Sequence, residues 1–197
     1  MTSPPGSGGA PRRRLLALAG FMGSGKTTIG HLLAKHLGWH FADLDTLVEQ
    51  AVQLTVTRIF EQHGEPAFRQ IEREQLVAAL GRAAEFERPT VLALGGGTVA
   101  QPGNMELLHA AGAAVVWLDC PLEQLIVRCV LVTTRPLFRD ETGFRALYDQ
   151  RLPYYRQADY RVETGDDPRL VVERILALGL FGADPSDAAP PAKDMLA

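Results

Sequence analysis

Residues 20–27, GFMGSGKT, match the phosphate-loop pattern G-x-x-x-x-G-K-[ST] at every fixed position. The glycines of such a loop allow successive backbone N–H groups to turn inward around a phosphate. Lys26 can reach the β- and γ-phosphates of a nucleotide, and the hydroxyl of Thr27 can hold Mg2+. The sequence therefore predicts a site for a nucleoside triphosphate and its magnesium ion.

The flanking residues supply the strand and the helix that such a loop needs. Residues 14–19, RLLALA, form a short apolar run typical of a buried strand. After the loop, apolar residues recur at helical spacing, as Ile29, Leu32, Leu33 and Leu37. A helix that begins at the loop directs its N-terminus, which favours anions, at the phosphate.

Strand patterns and helix patterns alternate along the rest of the chain. Further strands are predicted at residues 39–44, 91–94, 113–118 and 160–163. Helices are predicted at residues 46–53, 56–63, 65–79, 105–111, 121–130, 144–158 and 168–178. Because apolar strands alternate with helices, we expect an α/β fold in three layers, α/β/α, around a central five-stranded parallel sheet. Ligands of such folds bind beyond the carboxyl ends of the strands.

The composition indicates one soluble globular domain. The chain has 197 residues, of which 46% are hydrophobic and 22% are charged. Residues 14–181 are predicted to form this domain. Residues 1–13 are rich in Pro, Gly and Ser, and residues 182–197 are rich in Ala, Pro and Asp. Both segments are therefore predicted to be disordered tails.

Charge and hydropathy argue against several classes of partner. A net charge of -3 argues against a nucleic-acid partner. The chain has neither an apolar run of membrane-spanning length nor a signal-peptide h-region, so no membrane association is expected. The two cysteines, Cys120 and Cys129, suit a reducing cytoplasm better than a disulfide framework. We therefore expect a cytoplasmic protein.

Two carboxylates, Asp43 and Asp45, close the second predicted strand. Residues two apart in an extended chain face the same side, so both can point into one cleft. One could then act on Mg2+ through water and the other on a substrate hydroxyl. The alternative is that Asp45 caps the helix that begins at Thr46, since Asp is a good N-cap residue. The spacing alone leaves both interpretations open.

Glycines 95–97 close the third predicted strand, and a helix pairs Arg69 with Glu72 three residues later. Three glycines permit a ligand to approach the backbone closely, but a plain turn would use them as well. The arginine–glutamate pair could belong to a binding site or could be an ordinary surface pair.

Two further arginines are candidates for recognising an anion. Arg135 lies in residues 131–143, a segment between two helices that is either a lid or a plain surface loop. Arg151 lies on the next helix, where a solvated face is the alternative. The planar guanidinium fork suits carboxylates and phosphates, so arginines near a phosphate loop are suggestive but unspecific.

Together these segments resemble the shikimate kinases, small phosphate-loop kinases similar to nucleoside-monophosphate kinases. The resemblance covers roughly residues 15–178. The motifs that carry it are GFMGSGKTTIG (20–30), DLD (43–45), FEQHGEPAFRQIE (60–72), GGGTV (95–99), RPLF (135–138) and RLPYYRQAD (151–159).

The resemblance implies that the γ-phosphoryl group of ATP is transferred to the 3-hydroxyl of shikimate, with Mg2+, in aromatic amino-acid biosynthesis. It also implies a monomer with a mobile lid. Catalytic roles are implied for Asp45, Lys26 and Arg135. ATP contacts are implied for Gly23, Ser24, Gly25, Lys26, Thr27, Thr28, Arg128 and Arg135. Shikimate contacts are implied for Asp45, Arg69, Gly95, Gly96, Gly97 and Arg151.

The resemblance also implies two roles in binding Mg2+ and one in orienting an arginine. Thr27 would bind Mg2+ directly and Asp43 through water, while Glu72 would orient Arg69. The chain also departs from the family pattern. Residues 129–134, CVLVTT, are more apolar than the family's lids, Phe138 replaces a leucine, and residues 164–168, TGDDP, are acidic near the expected adenine loop.

Two other functions fit parts of the sequence. A kinase for another small acid, such as gluconate, would share the phosphate loop but has no need of FR-x-x-E, GGG and R-x-P-x-Y together. A nucleotide-binding regulatory protein without catalysis is the rival from a different class. Against it stand the retained residues Lys26, Thr27, Asp43, Asp45 and Arg135.

Overall fold

A fully parallel sheet forms the middle layer of the computed structural model, which describes residues 14–85, 88–130 and 140–181. Its strands, in chain order, are β1 Leu15–Ala19, β2 His40–Asp43, β3 Thr90–Ala93, β4 Ala114–Asp119 and β5 Tyr160–Glu163. They lie in the spatial order β2-β3-β1-β4-β5, and every neighbouring pair is parallel. The predicted five-stranded parallel sheet is confirmed, with each strand end within one residue of its predicted position.

Helices cover both faces of this sheet. Those of the described residues are α1 Lys26–Leu37, α2 Leu44–Val52, α3 Val56–Glu85, α4 Asn104–Ala110, α5 Leu122–Val130, α6 Glu141–Tyr155 and α7 Pro168–Leu176. Successive side chains of a strand point to opposite faces. Leu16 and Leu18 accordingly pack with α1 and α7, whereas Leu15, Ala17 and Ala19 pack with α3 to α6. The three-layer α/β/α architecture is therefore confirmed.

Helix α3 consists of two arms that meet at Gly64. This residue has φ 77° and ψ 173°, which no helix accommodates. The predicted break between residues 63 and 65 is thus present. The second arm runs to Glu85, six residues beyond the prediction, because Leu80 is buried and Ala83 packs against the same core.

The carboxyl ends of the parallel strands bring several polar segments to one edge of the sheet. The phosphate loop, residues 20–25, follows β1, and Asp43 is the last residue of β2. The glycines at 95–97 follow β3, and residues 164–167 follow β5. This edge is where ligands of such sheets bind.

The predicted tails, residues 1–13 and 182–197, lie outside the described residues, as do residues 131–139 of the predicted lid. The rest of that segment is not a loop. Asp140 caps α6 by accepting a hydrogen bond of 2.6 Å from the N–H of Gly143, and the helix begins at Glu141. Among the described helices, none is both long and apolar enough to cross a membrane.

Candidate active site

A single cavity of about 1220 Å3 lies at the carboxyl edge of the sheet. It is lined by all of the predicted site residues that the structure describes. They are Gly23, Ser24, Gly25, Lys26, Thr27, Thr28, Asp43, Asp45, Arg69, Glu72, Gly95, Gly96, Gly97, Arg128 and Arg151. Arg135 lies outside the described residues. The sequence thus predicted which residues line the cleft but not how their side chains are arranged within it.

The phosphate loop occupies one end of the cavity. Gly25, with φ 94°, is the N-cap of α1, a backbone conformation that glycine adopts without strain. Lys26 begins the helix, and its Nζ donates to the carbonyl oxygens of Gly20 at 2.8 Å and Phe21 at 3.0 Å. Ser24 is only 1% exposed, and its buried hydroxyl has no hydrogen-bond partner among the described residues.

The two predicted metal ligands are in direct contact. The hydroxyl of Thr27, on α1, donates to Asp43 Oδ2 at 2.7 Å. Mg2+ prefers oxygen ligands and usually keeps several of its waters. The Thr27 hydroxyl therefore suits a direct bond to the ion, and the Asp43 carboxylate beside it suits a contact through one of those waters. No group of three or more His, Cys, Asp or Glu side chains suited to a metal occurs in the described parts of the chain. The remaining ligands of Mg2+ would thus be water and phosphate oxygens.

Helix capping at the end of β2 falls to Asp43 and not to Asp45. Asp43 Oδ1 accepts from the backbone N–H of Asp45 at 3.1 Å, and α2 begins at Leu44. The capping interpretation of Asp45 is therefore wrong, because the helix starts two residues earlier than predicted. Asp45 is exposed on the first turn of α2. Its Oδ1 would lie 3.0 Å from a Cβ atom at Gly95, which places the carboxylate over the glycine triplet.

Arg69 and Arg151 converge at the far side of that triplet. A Cβ atom at Gly97 would lie 2.6 Å from Arg69 Nη2 and 3.0 Å from Arg151 Nη2. The third glycine is therefore required for close approach, and a plain turn does not account for it. Arg151 is 5% exposed, and the side chain of Arg69 is 12% exposed. The surface-pair and solvated-face interpretations of these arginines are wrong.

The two arginines differ in their electrostatic surroundings. Burial lowers the pKa of Arg151, and the positive charge of Arg69 lowers it further, while Tyr155 acts in the opposite direction. Burial also acts to lower the pKa of Arg69, but the carboxylates of Glu72 and Glu65 outweigh it, so this pKa is raised. Arg151 donates to the carbonyl oxygen of Gly96 and lies over the ring of Phe21; the negative charge of Glu65 also acts to raise its pKa, but less than burial lowers it. A buried cation of this kind is suited to bind an anion.

Glu72 holds the guanidinium group of Arg69 in position through a buried ion pair. Its side chain is fully buried, and its Oε2 accepts from Arg69 Nη1 at 2.8 Å. Its Oε1 accepts from the hydroxyl of Thr98 at 2.6 Å. The carbonyl oxygen of Thr98 in turn accepts from Asn104 Nδ2 at 2.9 Å. Thr98 directly follows the glycine triplet and could have drawn attention for that reason, whereas nothing in the sequence marks Asn104.

Tyr155 was also missed as a functional residue. Its hydroxyl donates to the carbonyl oxygen of Gly96, which also accepts from Arg151 Nη1 at 3.2 Å. Tyr155 is completely buried, and burial raises the pKa of its phenol, so it remains a donor at neutral pH. The signal was its position four residues after Arg151, which places both side chains on one helix face.

The nucleotide end of the cleft includes the acidic residues 164–168. Asp166 forms an ion pair of 2.5 Å with Arg174. Asp167 caps α7 by accepting from the N–H of Arg169 at 2.8 Å. Across the cleft, Arg128 Nη1 donates to the carbonyl of Gly23 at 3.2 Å, beside the phosphate loop. The two acidic residues that depart from the family pattern, Asp166 and Asp167, are therefore engaged in an ion pair and a helix cap.

The first residue of the apolar segment 129–134 packs against the phosphate loop. Cys129 is 1% exposed, and its thiol donates to the carbonyl of Met22 at 3.6 Å. A Cβ atom at Gly23 would lie 3.0 Å from its sulfur. Residues 131–134, which belong to the predicted lid, lie outside the described residues.

A phosphate loop at the carboxyl edge of a parallel sheet, in one cleft with two largely buried arginines, is the architecture of a phosphate-loop kinase with room for an anionic acceptor. Residues 22–178 match the sequence model of the shikimate kinase family, and the chain belongs to that family. It is 40% identical over 166 residues to a shikimate kinase of Nostoc sp., covering 82% of this chain and 88% of that relative. It is 43% identical over 161 residues to one from Moorella thermoacetica, covering 81% and 90%.

A solved structure agrees with these sequence comparisons. The shikimate kinase from Acinetobacter baumannii in complex with shikimate superposes with a TM-score of 0.74. It is 36% identical and covers 84% of this chain and 92% of its own. The expected family, the phosphate-loop kinase fold and the use of ATP as co-substrate are thereby confirmed.

Proposed function

We propose that the cleft transfers the γ-phosphoryl group of ATP to the 3-hydroxyl of shikimate, with Mg2+, and that the residues named above perform it. The observation that carries this assignment is the convergence of Arg69 Nη2 and Arg151 Nη2 at Gly97. Two guanidinium groups at one point suit a carboxylate, which each can meet with paired N–H donors. The acid group of shikimate would lie there.

Asp45 would orient the acceptor hydroxyl. Its carboxylate stands above Gly95 and so faces the same space as the two arginines. An acid held at one end by Arg69 and Arg151 presents its ring hydroxyls to Asp45 at the other. A carboxylate is a weak base at neutral pH, but phosphoryl transfer has a loose transition state and consists mostly of positioning and charge neutralisation. The carboxylate then orients the attacking hydroxyl and takes its proton late in the transfer.

The phosphate loop and Lys26 would hold the phosphates of ATP. Thr27 and Asp43 would hold Mg2+, which neutralises charge on the phosphates when bound. Arg128, beside Gly23, would add a further positive charge near the nucleotide. Arg135, on the proposed lid, would close on the phosphates.

The first experiment measures ADP release from ATP in the presence of shikimate, of gluconate or of no acceptor. Each reaction is run with Mg2+ and with excess chelator. We expect strong stimulation by shikimate alone, and only with Mg2+. Stimulation by gluconate, or equal release without an acceptor, would contradict the proposed substrate.

We also propose that the protein is a cytoplasmic monomer that binds no nucleic acid, between disordered tails. The low net charge supports the absence of a nucleic-acid partner. Light scattering coupled to size exclusion would test the oligomeric state, with a mass of 21.5 kDa expected for a monomer. A mass twice as large would contradict it.

A further inference from the structure

Glu65 occupies one edge of the Arg69 guanidinium group. Its Oε1 accepts hydrogen bonds from Arg69 Nε at 3.1 Å and from Arg69 Nη2 at 2.9 Å. The opposite nitrogen, Nη1, is bound to the buried Glu72. Arg69 is therefore bound by a carboxylate on two sides before any ligand arrives.

The nitrogen that Glu65 engages is the one that faces Arg151. Arg69 Nη2 and Arg151 Nη2 are the two atoms that approach Gly97. A carboxylate placed between the two arginines would need Arg69 Nη2, which Glu65 already holds. Glu65 and the acid group of the substrate therefore compete for one donor.

The charges in this part of the cleft lead to the same conclusion. Arg69, Arg151 and the two carboxylates bonded to Arg69, those of Glu65 and Glu72, together carry no net charge, and Asp45, above Gly95, adds no attraction for an incoming anion. If Glu65 moves away, the remaining three carry one positive charge, which matches one carboxylate. Electrostatic complementarity of this kind governs the recognition of a charged partner.

The two carboxylates on Arg69 differ in how firmly they are held. Glu72 is fully buried and also bound to Thr98, so it stays in place. The side chain of Glu65 is 50% exposed, so it can move into water at little cost. It also uses one oxygen for two donors, whereas a ligand can place one oxygen opposite each N–H, which is the stronger arrangement.

We propose that Glu65 is an internal competitor for the substrate carboxylate and sets the affinity and selectivity of the acid-binding end of the cleft. The substrate displaces Glu65 from Arg69 because its hydroxyl groups gain further contacts with Asp45. Small anions without hydroxyl groups gain no such contacts and leave Glu65 in place. This inference rests on the proposed role of Arg69 and Arg151 in binding the acid.

The test is calorimetric titration of shikimate into the wild-type protein and into Glu65→Gln and Glu61→Gln variants. Glu61 is an exposed carboxylate that lines the same cavity, one turn before Gly64. Its variant changes the charge of the cleft by the same amount, and the carboxylates bonded to Arg69 in the described structure are Glu65 and Glu72. We expect Glu65→Gln to bind shikimate about two- to fivefold more tightly, the range for an exposed ion pair. Glu61→Gln should change the affinity by less than this.

A second pair of titrations separates competition from a structural role of Glu65. ADP should bind the wild type and Glu65→Gln with equal affinity. Acetate should inhibit shikimate binding to Glu65→Gln at lower concentration than in the wild type. Unchanged or weaker shikimate binding by Glu65→Gln would overturn the inference. The proposed function fails separately, if the wild type itself does not bind shikimate.

Discussion

The hydroxyl of Thr98 offers a sharp test of how the acid-binding end is held. Thr98 is completely buried and does not line the cavity, yet it donates the 2.6 Å hydrogen bond to Glu72 Oε1. Thr98→Val keeps the shape of the side chain and removes the donor. It leaves one oxygen of a buried carboxylate without its partner, so the cost exceeds that of an ordinary hydrogen bond.

The magnitude follows from the charge of the acceptor. A hydrogen bond to a charged group contributes about 1.5–3 kcal/mol to the free energy of unfolding. For a domain of this size, 1 kcal/mol corresponds to about 2–4 °C, so the Tm should fall by about 3–12 °C. If about half of this free energy is lost from the binding of shikimate by Arg69, KM for shikimate should rise about four- to thirteenfold. KM for ATP should not change, since the hydrogen bonds of Thr98 within the described residues do not involve the phosphate loop.

Two matched variants complete the assay, which combines thermal unfolding with steady-state kinetics. Thr98→Ser keeps the hydroxyl and should restore KM for shikimate. Thr90→Val removes a buried hydroxyl that donates to a neutral carbonyl, that of Arg88, at 2.9 Å, and should cost only about 0.5–1.5 kcal/mol. The reasoning would be refuted if Thr98→Val lowered Tm no more than Thr90→Val and left KM for shikimate unchanged.

Three further variants test the remaining assignments. Arg151→Met removes a buried cation that forms no ion pair within the described residues, so kcat/KM for shikimate should fall about 10- to 100-fold while Tm stays the same or rises; a clear loss of Tm with normal kinetics would contradict this. Asp45→Asn should lower kcat about 100-fold or more with a Tm within about 2 °C of the wild type, because Asp43 caps the helix. Near-normal kcat would rule out the role of Asp45. Gly97→Ala places a methyl group against Arg69 and Arg151, so KM for shikimate should rise about tenfold with KM for ATP unchanged, and equal changes in both constants would argue against a local effect.

The sequence was informative where chemistry or burial imposes a spacing. The phosphate loop could be recognised because its glycines, Lys26 and Thr27 must stand at fixed separations to surround a phosphate. The strands could be placed because buried parallel strands are continuously apolar. Helix ends were less certain, since Leu80 extends α3 through a contact with residues distant in sequence.

The supporting contacts of the site could not be obtained from local patterns. Thr98 and Glu72 are 26 residues apart, and Gly96 and Tyr155 are 59 apart. Only the folded chain brings these pairs together. Whether Asp45 caps the helix or faces the cleft was undecided for a different reason, because Asp is a good cap residue and the choice depends on where α2 leaves the sheet.

Asp43 connects the two halves of the cleft through a single side chain. One of its oxygens accepts from Thr27, beside the phosphate loop, and the other accepts from the backbone of Asp45. One carboxylate group therefore joins the residue proposed to bind Mg2+ to the backbone of the residue proposed to orient the acceptor hydroxyl. Phosphoryl transfer is sensitive to small errors in position. Under the proposed roles, shortening this side chain by one carbon bond would break both hydrogen bonds, so Asp43 would control the alignment of the two substrates as well as the binding of the metal.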